Sequence, residues 1–368
     1  TLFRSIPEPN MASFLDLVAL GTGADVVPLD HNNRILVAQG LERIRAGRCR
    51  PGIKAMLEIA GKQAHKLVAS DFGFALGPRL NAAGRLDDMS LGIQCLLCDS
   101  ENLAREMAVQ MDELNRDRKA IESGMQQEAM GMLQKTLQAD ANDLPWGVCL
   151  FDETWHQGVI GILASRIKDK YHRPAIVFAE VGNNEIKGSA RSVPGLHIRD
   201  ALDAIAARHP QLLQKFGGHA MAAGMSLSRA NFTAFAQAFD EEVRRQLTDA
   251  DLQAVIVSDG ELIPQDMNLQ LAAQLRDAGP WGQHFPEPVF DGEFYLLQQR
   301  KVGEKHLKMT LALDKQGQQI FDAIAFNVDT GIWPNPHIQR VRLAYKLDIN
   351  EFRGNTNLQL LVDYLEPL

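Results

Sequence analysis

Lys215-Phe216-Gly217-Gly218-His219-Ala220-Met221-Ala222-Ala223-Gly224 sets two adjacent glycines and an imidazole against a run of tiny side chains. Gly217 and Gly218 reach dihedrals closed to other residues and let a ligand approach the main chain. Their N–H groups can form an anion-binding concavity. His219 adds a donor that is partly cationic near neutral pH. Ala220, Ala222, Ala223 and Gly224 read as the start of a helix whose N-terminal N–H groups would aim at the same spot. That combination suits a phosphate. A second reading fits the same residues: a turn into a tightly packed helix, with His219 a hydrogen-bonded core residue.

Upstream, strand and helix patterns alternate. Gly147–Phe151 and Pro174–Phe178 read as buried strands, Glu185–Ser192 as a strand running into a loop, and Trp155–Tyr171, Ile198–Ala207 and Asn231–Leu247 as helices. Such alternation predicts an α/β domain. Three segments share its phosphate-friendly chemistry. His156 sits at a strand-to-helix turn before Gly158 and Gly161. Lys187-Gly188-Ser189-Ala190-Arg191-Ser192 brings hydroxyls and a guanidinium that can bind phosphate bidentately. Gly77-Pro78-Arg79-Leu80-Asn81-Ala82-Ala83-Gly84-Arg85 offers two more arginines on a punctuated, constrained backbone.

Further out, residues 1 to about 70 read as strand and helix pieces of a larger α/β unit, with helical spacing at Ile35–Ile44 and Gly52–Ala60. Leu91 to Leu137 is helical throughout, long enough to bridge domains. From Asp251 the texture changes to short alternating runs: Val255–Val257, Glu293–Leu297, His306–Leu313, Phe321–Phe326, Val341–Leu347 and Leu358–Val362, with one helix at Leu269–Ala278. That pattern predicts a small β-barrel of OB type. The Gln298–Lys308 hairpin carries Arg300, Lys301, Lys305 and Lys308, which read either as a strand-binding surface or as a solvated charge face.

The 368 residues carry a net charge of −8, which excludes a uniformly basic coat but not a local basic groove. No apolar run approaches the ~20 residues of a membrane span. Cys95 and Cys98 form a Cys-x-x-Cys without a second ligand pair at zinc spacing; with Cys49 and Cys149 they read as free thiols of a reducing cytoplasm. The sequence opens on Thr1 rather than Met, as a fragment or a processed chain would.

Together the motifs resemble the RecJ family of single-strand-specific 5′→3′ DNA exonucleases, within the DHH phosphoesterase superfamily. Gly21-Thr22-Gly23-Ala24-Asp25-Val26-Val27-Pro28-Leu29 resembles the last motif of the DHH domain, and Pro78–Arg85 the family's Pro-Arg-x-Asn-Ala-x-Gly-Arg segment. Trp155–Ile162, Gly188–Ser192 and Gly217–Gly224 resemble the DHHA1 domain, and Gly279-Pro280-Trp281-Gly282 with the strands beyond resembles the family's OB domain. The resemblance implies α/β plus all-β architecture: the end of a DHH domain over 1–75, a motif loop and long interdomain helix over 76–140, a DHHA1 domain over 141–248 and an OB-like domain over 249–368. It implies a hydrolase using two Mn²⁺ or Mg²⁺ ions, with Asp25 as the one metal ligand in this chain. No Asp-x-Asp-x-x-Gly or Asp-His-His segment is present, so the chain is expected to be a C-terminal portion that binds DNA without cutting it. Gly217, Gly218 and His219 would hold the scissile phosphate. Ser189 and Arg191 would grip a neighbouring or terminal one, with Arg79, Arg85 and His156 lining the cleft. Single-stranded DNA, and by family a single-stranded-DNA-binding protein, are the implied partners of a cytoplasmic, nucleoid-associated enzyme of DNA recombination and repair. Two alternatives remain: a phosphoesterase acting on short oligonucleotides or cyclic dinucleotides, and a non-catalytic module binding DNA or protein.

Overall fold

The computed structural model describes residues 10–139, 144–352 and 354–368. The domain boundary expected at 140/141 and the opening Thr1–Phe3 lie outside them. The chain divides into two compact units, one formed by the residues up to Pro78 with Ile256–Leu368, the other by Arg79–Val255.

The N-terminal region is helical rather than mixed: α1 (Leu15–Ala24), α2 (His31–Arg45), α3 (Pro51–Ile59) and the short α4 (Ala69–Asp71). The expected strand pieces do not form among the described residues. The Gly21–Leu29 motif is helical up to Ala24, and its chain reversal is confined to Asp25–Leu29. Asp30 then caps α2, its Oδ1 accepting from the Asn33 N–H at 2.8 Å. Pro51 starts α3, where its missing N–H has no partner to lose.

The Pro-Arg segment expected as a loop is a helix, α5 (Gly77–Leu86), entered through a π-type turn at Phe72–Leu76. Pro78 is compatible because it lies in the first turn. The long helical stretch breaks once, where Cys98 is extended, giving α6 (Ser90–Leu97) and α7 (Glu101–Ala139).

The second unit is built on β1 (Val148–Asp152), α8 (Ile160–Tyr171), β2 (Ala175–Gly182), β3 (Glu185–Arg191), α9 (Ile198–Arg208), β4 (Lys215–Gly218), β5 (Ala222–Ser228) and α10 (Phe232–Gln246). The sheet runs β1-β2-β3-β5-β4, with β1 and β2 parallel and the rest antiparallel. Alternation decides its two faces. Ile176, Phe178, Ile186, Ala190, Ala223, Met225 and Leu227 face one core under α9 and α10. Val148, Ala175, Val177 and Ala179 face another under α7 and α8. Helix α8 packs on β2 and β3. Beyond it, the same face continues from Lys187 on β3 across β5 and β4 as the exposed positions Gly224, Lys215 and Gly217.

No helix follows the Gly-Gly-His segment. A turn at Ala220-Met221 returns the chain into β5, with the His219 N–H donating to the Ala222 carbonyl at 2.9 Å. The Ala220 and Met221 carbonyls accept from the N–H groups of Ile198 and Ser192, so tertiary hydrogen bonds fix the turn. These outweigh the helical propensity of the alanines.

Val255–Val257, expected as a strand, pairs with none among the described residues. The C-terminal domain follows, with α11 (Leu269–Ala278) and five strands: β6 (Phe290–Val302), β7 (His306–Ala312), β8 (Ile320–Ala325), β9 (Arg340–Phe352) and β10 (Asn355–Pro367). They close in the order β10-β8-β7-β6-β9, with β6 paired to β9. Only β8 and β10 pair in parallel; the other neighbours are antiparallel, as in a five-stranded OB barrel. Phe294, Leu307, Met309, Leu311, Leu343 and Tyr345 fill its interior.

Candidate nucleic-acid interface

Half of the second unit's sheet face is covered by α8 and half is bare, and the site lies along that margin. A pocket of about 530 Å³ is lined by Arg85, Gly158, Ile160, Gly161, Ser189, Arg191 and Gly224, among others. Each wall has a local cause. Gly161 lies so close to β3 that a Cβ there would stand 2.9 Å from the Ser189 Oγ and 3.0 Å from an Arg191 guanidinium nitrogen. Only glycine lets this helix start approach the arginine. No side chain caps α8, so its first N–H groups are donors at the rim. Gly158 is equally constrained: a Cβ would meet the Arg85 carbonyl at 2.3 Å.

The polar groups converge. Arg191 Nη1 donates to the Ala190 carbonyl at 2.8 Å and to Ser189 Oγ at 3.2 Å. Arg85 Nη1 donates to the Gly158 carbonyl at 3.1 Å. His156 turns its Nδ1 back to accept from the Gly158 N–H at 3.0 Å, bracing the loop. Burial holds the Arg191 guanidinium below its usual pKa, and repulsion from Arg85 adds to the effect. Two guanidinium groups repelling each other beside a helix N-terminus form a site for an anion, which would relieve that repulsion.

The glycine segment joins this pocket through register. Ser189 pairs with Gly224, and Gly224 with Gly217. Neither glycine carries a side chain, so this row is a bare main-chain floor. Gly218 lies at φ 152°, and a Cβ there would meet the Ala222 carbonyl at 2.4 Å. Because β4 is an edge strand, and His219 and Ala222 form a hydrogen-bonded pair, ladder alternation turns the Gly218 N–H to the open edge. His219 is exposed at the tip.

Other expected residues fall elsewhere. Arg79 is tied to Asp112 on α7 at 2.8 Å and does not line the pocket. Lys308 is paired with Asp322 at 3.0 Å, so its charge is already neutralised. Arg300, Lys301 and Lys305 are exposed at the β6–β7 hairpin. Sequence reading missed the aromatic pair beside them, His306 and Phe326, whose ring centroids lie 5.0 Å apart with Phe326 half-exposed. Asp25 is exposed at the C-terminal end of α1. Among the described residues no three His, Cys, Asp or Glu side chains gather to hold a metal. One carboxylate does not fit a two-metal centre.

A second pocket, of about 560 Å³, lies in the other unit between α2, α11 and β9. Its cations are matched: Arg45 with Glu42, Arg276 with Asp277, Lys346 with Asp363. It offers no surplus charge to a phosphate. Among the described residues no helix is long and apolar enough to cross a membrane.

The fold and site define a DHHA1 domain followed by an OB domain. The model of the DHHA1 domain matches residues 144–245, and that of the RecJ OB domain matches 258–364. The single-stranded-DNA-specific exonuclease RecJ of Escherichia coli K12 is 58% identical over 365 residues, 99% of this chain and 63% of that protein. Its Haemophilus influenzae counterpart is 53% identical, covering 100% and 64%. A crystal structure of RecJ in complex with Mn²⁺ from Thermus thermophilus superposes with a TM-score of 0.79 at 29% identity, over 98% of this chain and 50% of that one. The chain belongs to the RecJ family. It spans less than two thirds of the length of these relatives.

Proposed function

We propose that this chain is the DNA-gripping part of a metal-dependent single-stranded-DNA exonuclease that hydrolyses phosphodiester bonds, 5′→3′ as the family resemblance implies, in DNA recombination and repair. The carrying observation is the pocket in which Arg85, Arg191, Ser189 and the start of α8 converge on empty space beside a bare glycine floor. In this reading Arg191, Arg85 and Ser189 hold one phosphate by charge-assisted hydrogen bonds. His156 positions the loop that carries Gly158. Over the bare backbone at Gly217, the edge N–H of Gly218 and the imidazole of His219 present donors to the scissile phosphate, where they would stabilise developing negative charge. In the OB domain, Arg300, Lys301 and Lys305 supply phosphate contacts, and Phe326 with His306 a stacking surface for a base.

The named activity of the relatives supports this reading, as do the crystal structures of Thermus thermophilus RecJ in complex with Mg²⁺ and with Mn²⁺. The divalent ions would activate water and clamp the phosphate in the full-length enzyme. The residues present here supply Asp25 at most, so the 368-residue chain binds rather than cuts. The same reading includes a cytoplasmic, nucleoid-associated setting and contact with a single-stranded-DNA-binding protein.

A length series tests the substrate class. Binding of this chain to single-stranded oligonucleotides should strengthen steadily from a dinucleotide to strands long enough to engage both domains. A dinucleotide or cyclic dinucleotide binding as tightly as a long strand would sink the polymer reading.

A further inference from the structure

The bare sheet face does not end at the pocket. One step along the strands from the Ser189–Gly224–Gly217 row lies another, Lys187–Ser226–Lys215, set by the same register. Paired residues share a face, so both lysines and the serine project from the side that carries Ser189 and Arg191. The row borders a neighbouring opening that shares Lys187 and Gly224 with the first pocket and is also lined by Lys215, Ser226, Phe216 and Glu185. Both lysines are exposed, and among the described residues neither has an ion-pair partner. Ser226 is only 6% exposed, yet its hydroxyl has no hydrogen-bond partner among the described residues. Ser226 lines that opening, so its hydroxyl is free to hydrogen-bond an anion held there. The two lysines stand two strand spacings apart, about 9.6 Å, a gap their long side chains close over a single anion between them.

We propose that Lys187 and Lys215, with the Ser226 hydroxyl between them, form a second phosphate clamp. It holds the phosphate adjacent to the one seated at Ser189, Arg191 and Arg85. The inference rests on the reading of that pocket as a phosphate site. The rows lie two residues apart along the strands, about 6.8 Å, enough to separate successive phosphates of an extended single strand. The next position along the face is Glu185, paired with Ser228. Its carboxylate repels a further phosphate on that side, so the strand leaves the sheet beyond the lysine row.

Neutral-phosphate scanning of this chain tests the proposal. The probe is a 5′-phosphorylated oligothymidylate in which the terminal phosphate is removed, or each of the first few linkages is replaced by methylphosphonate, one at a time. Besides any loss at the scissile phosphate, the wild-type chain should lose affinity roughly ten-fold at each of two adjacent positions, the size of one charge-assisted contact. The Lys187→Gln/Lys215→Gln variant should bind roughly ten-fold more weakly and lose its sensitivity at one position only. The Arg85→Gln/Arg191→Gln variant should lose it at the other. If the lysine variant keeps both sensitivities while the arginine variant loses one, the second clamp is wrong and the pocket reading stands. If neither variant changes the profile, both fall.

Discussion

At the scale of single residues, adjacent glycines do different work. Gly218 sits at φ 152° against the Ala222 carbonyl, whereas a Cβ on Gly217 would meet nothing within 4 Å. Gly218→Ala should therefore destabilise the chain by about 1–3 kcal/mol, as strained backbone does. Gly217→Ala should leave the urea midpoint nearly unchanged. Equal midpoints for the two variants would contradict the turn described here. Gly161 makes the complementary case. Its added methyl would press on flexible Ser189 and Arg191 atoms rather than on backbone, so Gly161→Ala should keep the fold and weaken single-strand binding. Unchanged binding by fluorescence anisotropy would remove Gly161 from the site. These residues were unequally legible. Gly-Gly-His and Gly-Ser-Ala-Arg pointed to the strands that border the pocket because their chemistry is local. The pairing of Arg79 with Asp112 and of Lys308 with Asp322 was invisible, because each partner comes from a distant element or a neighbouring strand.

At the scale of elements, β5 shows what local propensity hides. Ala220 to Gly224 reads as a helix start because small residues dominate. Yet Ala223, Met225 and Leu227 are buried with strand periodicity, and that period wins once the turn is anchored. Recognising β5 also exposes the alternation Lys187, Ser189, Arg191, which becomes meaningful only when the face it projects from is known. The barrel strands were legible because each alternates cleanly around a single interior. Val255–Val257 shares their composition but pairs with no strand among the described residues. Truncating the barrel core at Phe294, 2% exposed, should cost about 3–5 kcal/mol; a loss below about 1 kcal/mol in urea unfolding would contradict the packing. Helix α6 carries a pH signature. Burial pushes the Cys95 thiol up to about 11 from 9.0. A thiol protonated more tightly in the folded state stabilises it fully below pH 9, and that contribution is lost as pH rises toward 11. Its full size is on the order of 3 kcal/mol. Stability should fall across that window by more in the wild type than in Cys95→Ser; parallel profiles would show that Cys95 does not titrate there.

At the scale of the whole molecule, the proposed function assigns the chain grip without a complete metal centre. Asp25 is the one expected ligand it contains, and no triad of ligand side chains gathers among the described residues. Adding Mn²⁺ to the purified chain should produce no hydrolysis of single-stranded DNA above background, and detectable metal-dependent product would contradict that assignment. Its net charge of −8 makes the grip local: binding must come from the few cations of the sheet face and the barrel hairpin. The central claim is that Arg85 and Arg191 hold a DNA phosphate. The most direct test is the salt dependence of single-strand binding by the wild-type chain and by Arg85→Gln/Arg191→Gln. Each phosphate contact to a single strand contributes a slope of about −0.7 in log K against log salt. The account predicts weaker binding by the variant and a slope shallower by about 0.7. Identical affinity and identical slope would contradict it.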